Sequence, residues 1–364
     1  MNRSLVLLGV AGLLAGPALY SLTRPDPADK AETKNVTLTS NAYRLDKIYP
    51  SMEGPYSIQS DIRVASDQTL PVQWVTGLET QVVDATEPRA ISQEFFCHSN
   101  LTFAERGEKP SQYNQRFGGK THLDWRLFTL VPGRLSIELP QGFGMLVPVD
   151  APLDYFTMSL NLNSRTEPVN VRLRTTVHTI AADAPGAPTK ALFRRALYVL
   201  QSQDEAANMG MMTTSQEPHH VGAGCADSCK VNFSAVSTVG TFGQGKTPHW
   251  MVTQGHHIYR TEITPQLNLP FDTTIHYATI HVHPFARGME LHDLTSGTTV
   301  FRLTSQDWPD RLGVAHVDEL KSIEGIPIYR NHRYEVTVEY DNTSNAKTDA
   351  MAILYLYLLE KDLT

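Results

Sequence analysis

The sequence predicts an all-β protein: two antiparallel, jelly-roll-like β-sandwich domains joined by a linker that carries one short helix. Three observations predict it. Short runs such as "LPVQWVTGLETQVVDA", "GRLSIELP", "DYFTMSLNLN" and "VNVRLRTTVHTI" alternate apolar and polar residues with period two, the repeat of a half-buried antiparallel strand. Gly, Pro and Asx clusters break these runs at the spacing of sandwich turns, with almost no helical pattern between them. Of 364 residues 41% are hydrophobic, enough for two cores of ordinary domain size.

Residues 1–30 read as a targeting segment. Arg3 precedes the apolar run Leu5–Leu22, as a positive region precedes the hydrophobic stretch of a signal peptide. The run is also about one membrane span long, so a retained membrane anchor stays open beside a cleaved leader. Either reading implies export, to the periplasm or the cell exterior, free or anchored. Residues 31–185 form the first predicted sandwich. Residues 186–245 are helix and linker: "PTKALFRRALYVLQSQDEA", from Pro188 to Ala206, sets Leu192, Ala196, Leu197 and Leu200 on one helical face. A Met-, Gly-, Ser- and Thr-rich stretch follows. Residues 246–364 return to strand patterns with "TTIHYATIHVHPF", "HRYEVTVEY" and "AMAILYLYLLE".

The net charge is −7 and no Lys/Arg run occurs, which argues against a nucleic-acid partner. Three cysteines are present. Cys225 and Cys229 stand in C-x-x-x-C spacing, which suits a local disulfide in an oxidising compartment or, alternatively, a soft metal. Cys97 reads as a buried thiol between aromatic residues.

Of 14 histidines only His98, His122 and His178 precede residue 215. Within "IHYATIHVHPFARGMELHDL", His281 and His283 are two apart on a predicted strand. Both imidazoles therefore leave the same face, a two-ligand platform for a metal. His276 is five residues before His281 and out of step with that face, which points to a hydrogen-bonding role. His219 and His220 lie in the linker near the two cysteines and form either a second soft site or a polar tether. His256 and His257 fall at a strand-entry turn and read as structural.

"HVHPFARGMELHDL", followed by "YEVTVEYDN" and "TDAMAILYLYLLE", resembles the C-terminal domain of the copper type II, ascorbate-dependent monooxygenases, the family of peptidylglycine α-hydroxylating and dopamine β-monooxygenases. The resemblance covers roughly residues 248–360. It implies a copper site built from His281, His283 and Met351, and hydroxylation of a C–H bond with dioxygen. Ascorbate or another external reductant would be the electron source, and the substrate a small molecule or peptide. Two imidazoles and a thioether make a soft, under-coordinated donor set that suits Cu(I). Arg287, just after the histidine pair, is placed to hold a substrate carboxylate.

The family's second copper, held by three histidines in the first domain, has only one counterpart here. "SQEFFCHSNL" offers His98 beside Cys97, but Ser99 stands where a paired histidine would fall, and Asn161 stands at the position of the third. Three functions stay in play: a copper monooxygenase, a non-catalytic copper-binding or copper-delivery protein, and a structural sandwich without metal.

Overall fold

The computed structural model describes residues 32–51, 53–65, 70–87, 89–202 and 245–361. The chain is all-β within them, with antiparallel sheets and only two short α-helices, Pro110–Arg116 and Thr264–Leu267. The targeting segment, His219, His220, Cys225 and Cys229 lie outside the described residues.

One sheet runs through both sandwiches. Its order is Lys34–Thr39, Val169–Ala181, Val72–Asp84, Phe143–Pro148, Lys190–Tyr198, Ala352–Leu359, Thr273–Val282 and Glu319–Ile328. A four-stranded sheet (Tyr56–Ile62, Leu153–Ser159, Phe96–Phe103, Arg126–Leu130) packs on its first half. A five-stranded sheet (Gly255–Glu262, Tyr334–Asn342, Ala286–Asp293, Thr298–Asp307, Val314–Val317) packs on its second. Each layer pair encloses its own apolar core. Val75, Leu78, Phe96, Leu101 and Phe128 lie in the first, and Trp250, Ile280, Leu291, Val338 and Leu356 in the second.

The helix expected over residues 188–206 is not formed in its described part, residues 188–202. Lys190–Tyr198 is a strand, paired antiparallel with Ala352–Leu359 and, at Lys190 and Ala191, parallel with Phe143 and Gly144. The cause is burial on both faces. Phe193 and Leu197 point into the second core, Leu192 into the first, and Arg194 is only 2% exposed, donating to the Thr129 hydroxyl at 3.1 Å. A strand buried on both sides has no polar face to alternate with, and its apolar spacing mimics a helix.

The neighbouring strands Thr273–Val282 and Ala352–Leu359 share this property. Ile275, Ala278, Ile280 and Val282 enter the second core with Ala352, Leu354, Leu356 and Leu358. The opposite face presents Tyr277 and Tyr357 to the first core and collects Met351, Ile353 and Tyr355 beside Val131. The step from Ile275 to Ala278 is three residues because the ladder is bulged between Ile275 and Tyr277. That bulge removes His276 from the alternation. Its Nδ1 lies 2.9 Å from the Ser322 carbonyl and its Nε2 2.7 Å from the Thr274 hydroxyl, the hydrogen-bonding role that its spacing suggests.

Candidate metal centre

Downstream of that bulge, strict alternation sends Tyr277, Thr279 and His281 to the face that meets the first sandwich. His281 pairs with Ile353 and Val282 with Ala352. One more step of this register sets His283 opposite Met351, just beyond the ends of both strands. A second register meets it there. Trp250 pairs with Ala350 and Met251 with Asp349, so the next step sets His249 opposite Met351 from the other side. The registers thus bring His283, Met351 and His249 into one row across three chain segments.

His98 arrives from the first sandwich. The ladder between Phe96–Phe103 and Leu153–Ser159 is bulged between Phe96 and His98. Phe96 and Leu101 point into the first core, and the Ser99 hydroxyl lies 3.0 Å from that of Thr175. The extra residue lets both Cys97 and His98 face away from that core. The result is a contact between neighbours, Cys97 Sγ to His98 Nδ1 at 3.0 Å. His98 then stacks its ring, tilted by 53°, 4.9 Å from that of His281. The His281 and His283 rings are 5.3 Å apart, and His249 stands 6.1 Å from His283.

All of this is dry. His98, His281 and His283 are 7%, 1% and 2% exposed. Burial drives the His98 imidazole down to about 3, helped by Arg126, His283 and His249. Burial likewise holds His281 well below the usual range, with His98, His283 and His249 adding to the effect. His249 falls to about 4 by burial and by His283, opposed by Asp349. Burial thus favours the neutral form of His98, His249 and His281, the form that binds metals. Asp349 places Oδ2 2.8 Å from His283 Nδ1, within ion-pair reach but out of line for a hydrogen bond. Burial raises the Asp349 carboxyl, yet the histidines beside it outweigh burial and hold it below its ordinary value. Tyr340 ties the row together: its hydroxyl donates to the Met351 carbonyl at 2.9 Å and accepts the His283 backbone N–H at 3.4 Å.

Neither ring nitrogen of His281 has a hydrogen-bond partner, and His283 Nε2 has none either. A buried polar atom without a partner costs about 1–3 kcal/mol, and a cation is the ligand that neutral imidazole nitrogens accept. Two imidazoles sharing one ion at about 2.0–2.1 Å per nitrogen put their ring centres roughly 5 Å apart, close to the spacing of His281 and His283. As the rings stand, no group of three His, Cys, Asp or Glu donors converges on one point among the described residues. Rotation of the rings about their side-chain torsions is therefore part of any metal uptake. With that adjustment the donors fit a soft, imidazole-binding metal such as copper.

A cavity of about 20 Å³ touches Phe96, Cys97, His281, His283, Pro284 and Trp308. That is space for roughly one water molecule. An open groove of about 610 Å³ begins on the other side of Trp308, past Phe285, Arg287 and Asp307.

No protein-family model matches the chain. No curated protein matches it either. Among solved structures, the STIV MCP is similar over 90% of this chain and 97% of its own, at 10% identity and a TM-score of 0.32. The infectious bursal disease virus VP2 subviral particle is similar over 92% of this chain and 73% of its own, at 12% identity and a TM-score of 0.20. TM-scores this low establish neither a common fold nor a common function.

The expected ligands separate as follows. His281, His283 and Met351 share one face, and His98 joins them from the other sandwich. Ser99 faces the first core, and Asn161 donates to the Lys47 carbonyl at 2.8 Å, so neither extends the site. Arg287 does not stand free for a carboxylate: it binds Asp341 at 3.1 Å on the open groove. His256 lies near Glu339 and His257 near Thr253, both at the start of their strand and away from the centre. His249 and Asp349 were missed by sequence reasoning. The available signal was the pairing of two very short strands, "WMV" with "TDA", which no periodicity reveals.

Proposed function

We propose that this chain is a copper protein of the oxidoreductase class, holding one copper ion through His281 and His283 with Met351 as the soft third ligand. A single observation carries the reading: His281 is fully buried, has no partner on either ring nitrogen, and has the rings of His98 and His283 about 5 Å away. Burying it so has no benefit to folding, and a metal removes the cost. Copper there would supply one-electron chemistry with dioxygen, which in the resembled family hydroxylates a C–H bond using an external reductant such as ascorbate.

The chain's own residues do the rest. Asp349, with Oδ2 2.8 Å from His283 Nδ1, is placed to orient that ring once it turns, as carboxylates commonly do for metal-binding imidazoles. Tyr340 fixes the spacing of His283 and Met351. Phe96, Trp308 and Pro284 wall off water, leaving a space for a diatomic molecule or a single water but not for an organic substrate. A substrate would approach along the groove beyond Trp308.

The closeness of that cavity favours a second reading, copper storage or delivery, in which the centre only holds Cu(I). Oxygen consumption by the copper-loaded chain, with ascorbate and a broad substrate library, separates the two. Substrate-coupled consumption supports the monooxygenase. Its absence, together with Cu(I) transfer to an acceptor, removes the enzymatic reading and leaves the carrier.

A further inference from the structure

We propose that the thiol of Cys97 is itself a copper ligand, so that the centre comprises two imidazoles, one thiolate and one thioether from His281, His283, Cys97 and Met351. The proposal rests on the copper reading of His281 and His283, and not on hydroxylation.

In regular alternation a strand residue and its neighbour leave opposite faces, so Cys97 and His98 would diverge. The irregularity between Phe96 and His98 lets both leave the first core, with the His98 ring 4.9 Å from that of His281 and Cys97 on the cavity that His281 lines. Bulges re-aim side chains in this way and concentrate beside functional sites. Cys97 is 1% exposed and packs near Tyr56, Met158 and Leu160, which a small apolar residue would do equally well. Packing alone does not account for its other surroundings. Cys97 lines the same small cavity as His281 and His283, with its sulfur 3.0 Å from one more imidazole. His281, another residue of its lining, has two buried ring nitrogens without partners. Once the imidazoles rotate about their side-chain torsions, a cation seated there would meet sulfur from the first sandwich and nitrogen from the second.

The donor chemistry is coherent. Thiolate, thioether and two imidazoles are the ligand types that hold copper in one-electron centres. When the sulfur–metal bond forms, the thiol proton leaves to solvent, and no oxidant or reductant is consumed. Two sulfurs make the site softer than imidazoles and thioether alone, so it retains Cu(I) more tightly. It would also bind the two halves of the molecule to each other through one ion.

The test uses the full chain carrying Cys225→Ser and Cys229→Ser, which leaves Cys97 as its sole thiol. Co(II) is the probe, because it does not oxidise thiols. One equivalent should produce a near-ultraviolet thiolate-to-cobalt charge-transfer band. Adding Cys97→Ser should abolish the band while Co(II) still binds, and should weaken Cu(I) binding by about tenfold or more. Cys97→Ala provides the same comparison if serine disturbs folding, judged by far-ultraviolet circular dichroism. If Co(II) binds in a His281-dependent way but no sulfur band forms, Cys97 is not a ligand, and the copper reading stands without it. If neither Co(II) nor Cu(I) binds, or binding is indifferent to His281→Phe, the reading of the centre fails and the proposal fails with it.

Discussion

The imidazole of His98, carried by the first sandwich, stands 4.9 Å from that of His281, carried by the second. The resembled monooxygenases hold two separate coppers, one per domain. Here the first-domain histidine at the expected position stands beside the second-domain pair His281 and His283 instead. The arrangement favours one composite site.

Stoichiometry follows. Anaerobic Cu(I) titration of a Cys225→Ser, Cys229→Ser chain should saturate at one tight equivalent, because the other two histidines of the first sandwich are engaged elsewhere: His122 Nδ1 lies 2.7 Å from Glu360 and His178 Nδ1 2.8 Å from Asn35. Two equally tight equivalents would show that His98 and His281 serve different ions.

The depressed imidazoles give the metal-free protein a defined pH response. His98 takes up its proton at about 3 when folded and near 6.5 when unfolded, and His281 shifts in the same direction. Between these values the unfolded chain binds more protons, so the stability from these groups is present above pH 6.5 and is lost as pH falls toward 3. The slope is about 1.4 kcal/mol per pH unit for each such histidine. Urea unfolding between pH 7 and 5 measures it, and His98→Gln should remove about one proton's worth of the slope.

Tyr340→Phe removes the hydroxyl that joins His283 to Met351 and leaves the Met351 carbonyl without its buried donor. The cost should be about 1–3 kcal/mol in urea unfolding of the metal-free protein. Cu(I) competition titration should show weaker binding in the same variant. Full stability with unchanged copper affinity would mean that the row of His283 and Met351 needs no such tie.

Met351→Leu nearly conserves volume and should cost less than about 1.5 kcal/mol of stability. A thioether favours Cu(I) over Cu(II). The variant should therefore lose Cu(I) affinity while Cu(II) affinity hardly moves, seen as a fall in the midpoint potential of the bound copper. An unchanged potential would make Met351 a packing residue alongside Val131 and Ile353.

Strands such as Val169–Ala181 and Tyr334–Asn342 were legible because one face is more exposed than the other, which writes period two into the residues. Lys190–Tyr198 was illegible for the opposite reason: both of its faces are covered, and Leu192, Ala196, Leu197 and Leu200 then satisfy helical spacing equally well. His281 and His283 were legible as a pair because two residues apart on a strand means one face. Cys97 and His98 were not, since only a bulge brings neighbours to the same side. His249 and Asp349 come to the centre through the register of two three-residue strands, set by tertiary contact and leaving no periodic trace.

The most direct test of the copper centre is an anaerobic Cu(I) competition titration of the Cys225→Ser, Cys229→Ser chain, with and without His281→Phe. Phenylalanine fills the imidazole's space and removes two partnerless nitrogens, so the metal-free variant should fold with stability equal to or above its parent. The account predicts one tight equivalent in the parent and none in the folded His281→Phe variant. Equal Cu(I) affinity in both would contradict it.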